Sequence, residues 1–411
     1  MADIQPFAAL RYDAARTGPL ERVITQPYDK ISPAMLERYH QLSPYNLSRV
    51  VKNASYAEAA ANLEAWKRDG VLVRDPAPAF YPYFQTYTIP GTSTVLTRRA
   101  IVGALELTPY EDGVVFRHEL TLKGPKQDRL ELMRATRLHC ELLFLVYEDE
   151  DGAVARLLDR ATTGDPIEKL QDDFGDTHAV WRASDPALTA ALRAAFAPKR
   201  LLMADGHHRY ETMLAYREEQ PAARRVLVAL VSMSEPGLTI LATHRLLSRV
   251  AGFSRQALLT AAARFFDVSE TSVDAGRAAL APNVIGVAFA GHAGFTLLRL
   301  KPSADLAAAL PELSPAQRKL DVVLLHQILL RICLGITEEA TKQEKNLEYI
   351  REFEKGVDGV QHGAQACFFL HPVSVEQMKE ISFAGGVMPQ KSTDFYPKML
   401  SGLAMYEAVT R

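Results

Sequence analysis

Leu201-Leu202-Met203-Ala204-Asp205-Gly206-His207-His208-Arg209-Tyr210-Glu211-Thr212 is the stretch on which the reading of this chain turns. A short apolar run reads as a buried strand. Asp-Gly is a turn signal, and the pattern beyond it predicts a helix from Gly206 to Glu219. Asp205 is placed to cap that helix. Gly206 lets the backbone turn sharply and approach a ligand closely. A helix start offers N–H groups without intrahelical partners and the positive end of the dipole. His207, His208 and Arg209 add donors at the same point, and an arginine grips phosphate with two parallel hydrogen bonds. Asp205, Gly206, His207, His208 and Arg209 are therefore candidate nucleotide-binding residues. The competing reading is a capped surface helix with a solvated first turn. A metal held by the two histidines is disfavoured, because adjacent helical positions diverge whereas helical metal pairs use i, i+4. No metal site is expected.

Working outward, Phe80 to Ile89 and Thr97 to Leu107 alternate apolar and polar residues, with Pro90-Gly91 between them, and predict a strand pair. Glu141 to Tyr147 and Val226 to Met233 read as buried strands. Tyr56 to Asp69, Pro125 to Thr136 and Pro186 to Phe196 read as helices. Beyond Ser234-Glu235-Pro236-Gly237 the texture changes. Helices are expected over Ser254 to Phe266, Val273 to Leu280, Ser303 to Leu310, Lys319 to Leu334 and Ser374 to Ala384. Strands are expected at Val284 to Phe289, Phe295 to Leu300 and Ala366 to His371. The tail Gly385 to Tyr396 reads as irregular, followed by a short helix. Strands alternate with helices but several pair as hairpins, so the expected class is α+β with a mixed sheet. The expected division is a domain over 1–235 and an α/β domain over 236–411.

Bulk properties narrow the function. The chain has 411 residues, a formal net charge of -2 and a charged share of 23%. No global basic field attracts nucleic acid, which argues against such a partner. Cys140, Cys333 and Cys367 lie far apart among apolar neighbours, as buried small hydrophobes do in a reducing compartment. The N-terminus lacks a basic region followed by an apolar one, and no apolar run approaches the about 20 residues of a membrane span. A cytoplasmic protein without membrane partners is the expectation, with a homodimer left open.

Three further clusters carry charge. Arg117-His118-Glu119-Leu120-Thr121-Leu122-Lys123-Gly124-Pro125-Lys126-Gln127-Asp128-Arg129 offers a carboxylate base, Glu119, and the phosphate-binding cations Lys123, Lys126 and Arg129; otherwise it is a solvated loop of ion pairs. In Pro27-Tyr28-Asp29-Lys30-Ile31-Ser32, Asp29 is a second candidate base, or only closes the turn. Gly385 to Thr393 fails as a P-loop, since Gln390 stands where glycine is required and Pro389 removes a donor. Lys391 still has the reach to meet a phosphate from a surface loop. No G-x-S-x-G, no G-x-G-x-x-G after a strand and no H-E-x-x-H occurs.

Taken together, these segments resemble a prokaryotic family of unknown function. It is marked by boxes that stand here at Pro27 to Ile31, Ser43 to Asn46, Arg117 to Arg129, Ala204 to Thr212 and Met388 to Lys398. The one departure is Ser43, where the family usually has Asn. The Asp205-Gly206-His207-His208-Arg209 box is in turn similar to the phosphate-binding box of the ParB/sulfiredoxin-like fold. That resemblance implies a nucleotide-binding domain of that fold, and its members include sulfiredoxins, CTP-switched ParB proteins and free serine kinases.

A small-molecule kinase with free L-serine as acceptor is the leading expectation. Asp205 to Arg209 would hold the phosphates of ATP or ADP with Mg²⁺, since phosphoryl transfer rests on positioning and charge neutralisation. Glu119 or Asp29 would take the hydroxyl proton, His207 or His208 would bind the transferring phosphoryl with His208 the catalytic candidate, and Lys126 and Arg129 would neutralise developing charge. The alternative is a non-catalytic nucleotide switch of ParB type, which the near-neutral charge disfavours. A sulfiredoxin-like reductase is excluded for want of a cysteine near 204–212. A scaffold that keeps a phosphate turn without catalysis stays open.

Overall fold

The computed structural model describes residues 1–121, 123–342 and 345–409. The chain forms two compact units. One comprises Met1–Arg117, Thr121–Thr239 and Pro397–Arg411; the other comprises His118–Leu120 and Ile240–Tyr396. The C-terminal segment thus groups with the first unit rather than with the residues that precede it.

The first unit is built on a nine-stranded mixed sheet. Its strands are β1 (Ile4–Gln5), β2 (Tyr81–Thr88), β3 (Val95–Glu106), β4 (Val115–Phe116), β5 (Leu143–Tyr147), β6 (Glu168–Gln171), β7 (Thr177–Val180), β8 (Leu201–Asp205) and β9 (Arg225–Ser232). The order across the sheet is β4-β8-β5-β9-β3-β2-β7-β6, and β1 pairs with β3. Most neighbours run antiparallel; β4 with β8 and β5 with β9 are parallel. Val226–Ser232 is buried without interruption, because a central strand covered on both faces has no polar side to alternate with. The expected hairpin of β2 and β3 is present, in register from Tyr81↔Val102 to Thr88↔Val95.

Helices form where caps and spacing agree. Asp185 accepts a hydrogen bond from the Leu188 N–H and Pro186 fills the first turn, so Pro186–Phe196 starts sharply. Its Leu188, Leu192 and Phe196 repeat every fourth residue and enter the core with Leu145, Leu201 and Val228.

The second unit carries a six-stranded sheet of β10 (His244–Leu247), β11 (Phe266–Thr271), β12 (Val284–Phe289), β13 (Phe295–Leu300), β14 (Leu347–Ile350) and β15 (Ala366–Phe369), ordered β11-β13-β12-β15-β10-β14. Phe295, Phe353, Cys367 and Phe369 form its core with Leu246 and Val284.

Several local expectations need correction. The helix expected over Ser254 to Phe266 ends at Ala262, and Phe266 opens a strand paired with Phe295–Leu300. Its alternation is confined to Phe266, Asp267, Val268 and Ser269 and continues an Ala/Leu-rich helical run, which hid the strand. Lys319 to Leu334 is not one α-helix: Leu324–Cys333 winds as a π-helix. The short helix expected after Tyr396 does not form. Instead Tyr406–Glu407 pairs with Leu138–His139, Thr25 bridges to Ser401 and Leu10 to Met405. Long-range pairing satisfies that backbone, a partner no local pattern reveals.

Gly103 sits mid-strand in β3, where a side chain would normally be packed. A Cβ there would lie 2.8 Å from Ile4 Cδ1 and 2.9 Å from Phe80 Cε1. Gly103→Ala should therefore destabilise the first unit by about 1–3 kcal/mol through overpacking, read as a lowered urea midpoint with unchanged slope. An unchanged midpoint would show that β1 can shift freely off the sheet.

Candidate functional site

The end of β8 is bent before it reaches the turn. Met203 pairs with Leu145 and Asp205 with Phe144, so Ala204 is an extra residue and the ladder is bulged. A bulge re-aims the side chain that follows it, here Asp205. Gly206 then adopts φ 101°, and His207–Glu219 begins as a helix. The N-cap is Gly206, with no side-chain cap hydrogen bond. The expected capping by Asp205 is therefore not made; the left-handed glycine takes the N-cap position itself. A Cβ at Gly206 would lie 2.5 Å from Leu143 Cδ2 and 3.2 Å from Arg209 Nη2. Glycine is thus required on two counts, conformation and space.

Cations gather on Asp205. Lys398 Nζ lies 3.8 Å and Arg209 Nη2 3.9 Å from its Oδ2. Burial would raise the Asp205 carboxyl pKa, but Lys398, Arg209, Lys30 and His207 outweigh it and hold the group well below the usual carboxylate range. Arg209 is itself largely buried, and its Nη1 donates to the Leu142 carbonyl at 3.0 Å. Burial opposes its charge, while Glu141, Asp205 and Asp29 restore it and raise its pKa.

The Tyr28–Lys30 turn faces the same point. The Tyr28 N–H donates to Glu141 Oε1 at 2.8 Å, which ties this turn to the residue just ahead of β5. Arg129 lies over the Tyr28 ring at 4.0 Å. Asp29 is half exposed, with Lys30 Nζ 3.9 Å from its Oδ2. Beneath Arg209 is a cavity of about 50 Å³, lined in part by Arg129, His139, Cys140, Glu141 and Met213. It has room for a few waters and not for a nucleotide.

The residues singled out in the sequence divide. Asp29, Asp205, Gly206, His207, His208 and Arg209 come together in the first unit. Lys126 is engaged by Glu211 at 2.8 Å. Arg129 donates to Asp128 and to the Val51 carbonyl, so its charge serves packing and the Tyr28 stack. Glu119 and Lys391 belong to the second unit. Glu119 is bridged to Met388 there, and the Lys391 carbonyl accepts from Arg245. Tyr28, Lys30, Glu141 and Lys398 were missed as site residues. Tyr28 and Lys30 were visible in the Pro27 to Ser32 box, and Lys398 closes the Met388 to Lys398 box. Glu141 had no sequence signal, being one carboxylate before an apolar run.

Chemically, the arrangement offers a helix start, a close-approach glycine and three flexible or forked cations to an anion. Asp205 and Asp29 are the carboxylates that would help to hold a divalent ion there, since Mg²⁺ needs only one or two of them. No group of three or more metal-ligating side chains occurs among the described residues.

Two outcomes follow. Gly206→Ala should cost about 1–3 kcal/mol from its φ and its clash, seen as a lower urea midpoint. Separately, burial pushes His139 down to about 3, and it stacks on Tyr406. The unfolded histidine titrates near about 6.5, so the unfolded chain binds more protons below that pH. Stability from a neutral His139 is complete above about pH 6.5 and is lost as pH falls towards its folded value. His139→Phe should flatten the fall between about pH 6 and 4 by roughly 1.4 kcal/mol per pH unit. Parallel stability curves for the two proteins would refute the buried neutral state.

A family model described as "Protein of unknown function (DUF1015)" matches residues 4–323. No curated protein matches the chain. Among solved structures, a mutant free serine kinase in complex with ADP is 10% identical, over 72% of this chain and 88% of its own, at a TM-score of 0.39. A mutant free serine kinase in complex with AMP is 12% identical over 78% and 94%, at 0.40. SbnI with a C-terminal truncation from Staphylococcus aureus is 12% identical over 73% and 85%, at 0.38.

Proposed function

The chain belongs to the DUF1015 family, and for this member we propose a nucleotide-dependent phosphotransferase acting on a small hydroxyl metabolite, free L-serine first among them. The proposal includes a ParB/sulfiredoxin-like nucleotide-binding domain in the first unit, as the resemblance of the Asp205 to Arg209 box implies. One observation carries the reading: the His207–Glu219 helix starts at an αL glycine with no side-chain cap, and Lys398 and Arg209 lie 3.8 and 3.9 Å from the one carboxylate beside it. Helix N–H groups and convergent cations are what a nucleotide's phosphates require.

In this reading Gly206 to Arg209 hold the phosphates of ATP or ADP, and Asp205 would help to hold a Mg²⁺ ion, which would supply charge neutralisation. Asp29 takes the acceptor's hydroxyl proton as its oxygen bonds to the terminal phosphorus and the bridging P–O bond breaks, leaving the shortened nucleotide. Asp29 rather than Glu119 has this role because it shares the unit of the phosphate turn. Lys398 and Arg209 balance the charge on the transferring oxygens.

The test is calorimetric titration of Mg²⁺ with ADP and ATP, followed by a phosphorylation assay with L-serine and other small alcohols. Arg209→Ala, checked for folding by circular dichroism, should weaken nucleotide binding by about tenfold or more, the worth of a charge-assisted hydrogen bond. Asp29→Asn should bind nucleotide but lose turnover. Binding without turnover of any acceptor would instead favour a nucleotide switch. A folded protein that binds neither nucleotide would overturn the reading.

A further inference from the structure

Lys398 reaches Asp205 from a segment that arrives almost two hundred residues later in the chain, and its placement depends on something holding that segment. Two side chains do so from inside the sheet. Arg98 on β3 and Gln85 on β2 are both essentially inaccessible. Arg98 donates through Nε to Gln85 Oε1 at 3.2 Å, and its Nη2 bonds the same oxygen. Nη2 also donates to the Pro397 carbonyl at 2.5 Å and approaches Met399 Sδ at 3.8 Å. Gln85 Nε2 in turn donates to the Lys398 carbonyl at 2.9 Å. The backbone on both sides of Lys398 is thus fixed by one buried fork and one buried amide, each orienting the other.

A buried arginine is expensive unless its geometry is useful, and the charge of this one is favoured by the carboxylates of Asp205 and Asp176. Its guanidinium lies over the Phe144 ring at 4.8 Å, on the strand that pairs with the bulged end of β8. An ordinary tail could be anchored by apolar contacts or by a bridge such as Thr25 with Ser401. The Arg98–Gln85 pair does something more specific: it sets the position of a single lysine's Cα relative to Asp205.

We propose that Arg98 and Gln85 are positioning residues, which hold Pro397–Met399 so that the Lys398 ammonium meets an anion at the Gly206 turn. This rests on the phosphate-turn reading above. Neither side chain touches the anion.

The experiment compares wild type, Lys398→Ala, Gln85→Glu and Arg98→Met by two readouts on the full chain. One is the rate at which Lys398 is reductively methylated, followed by peptide mass spectrometry in the proteins that retain it. The other is the Kd for ADP with Mg²⁺. Gln85→Glu is the informative variant. It keeps shape and gives Arg98 a charged partner, so thermal stability should be kept or raised. It also replaces the amide donor to the Lys398 carbonyl by an acceptor, so the segment should loosen. Lys398 labelling should then quicken, and ADP binding should weaken about tenfold, as in Lys398→Ala. Combining Gln85→Glu with Lys398→Ala should weaken binding no further than Lys398→Ala alone. Arg98→Met should act in the same direction where it folds. Unchanged labelling and unchanged Kd in a folded Gln85→Glu protein would overturn the positioning role while leaving the phosphate turn intact. If Lys398→Ala binds ADP as wild type does, or wild type binds none, the phosphate-turn reading fails first and the proposal falls with it, even where labelling quickens.

Discussion

Cations of like sign do not collect in a half-buried turn unless something opposes their repulsion. In this protein Asp205 is that opposing charge. Lys398, Arg209 and Lys30 come from three separate parts of the chain, and each is favoured by the same carboxylate. Much of the first unit's local architecture serves to make that convergence possible. The bulge at Ala204 aims Asp205, the αL Gly206 clears space for Arg209, Glu141 ties in the turn that carries Lys30, and the returning tail delivers Lys398.

The consequence is a site organised before any ligand arrives. Donors that must be gathered on binding lose side-chain freedom at that moment, which subtracts from affinity. Here Arg209 is already held by the Leu142 carbonyl. Asp205 meets Lys398 and Arg209 at 3.8 and 3.9 Å, distances of charge attraction rather than of a direct hydrogen bond.

The sequence showed this centre unevenly. Strand, Asp-Gly and helix were legible between Leu201 and Thr212 because three local signals agree there: an apolar run, a turn dipeptide and a donor-rich helix start. The β2–β3 hairpin was legible from alternation and Pro90-Gly91. Strand β11 and the π-helix at Leu324–Cys333 were not, since the first has only Phe266 and Val268 as apolar alternating positions at the end of a helical run and the second shares its composition with an α-helix. Asp205 as a helix cap was a reasonable inference from residue type that failed on backbone geometry: a glycine in the left-handed region takes the N-cap position itself. Lys126 and Arg129 looked like phosphate ligands because composition cannot tell a free cation from one already matched with Glu211 or Asp128.

The tail shows most sharply what a one-dimensional reading lacks. Residues after Tyr396 have weak helical character, and a short helix was the natural expectation. Yet Leu400, Ser401 and Met405 find backbone or hydroxyl partners on segments hundreds of residues earlier. Local propensity amounts to a few tenths of a kcal/mol per residue, whereas a buried backbone group left without a partner costs about 1–3 kcal/mol. Once the preceding fold offers open partners, tertiary pairing therefore wins over the helix. Lys398 could be placed at Asp205 only by that outcome, because a helical tail would have turned successive side chains by a helix's rotation rather than pinning one of them between two buried donors. The identity of a site lysine was thus written in the residues at 85 and 98 as much as at 398, and no motif centred on the lysine alone records it.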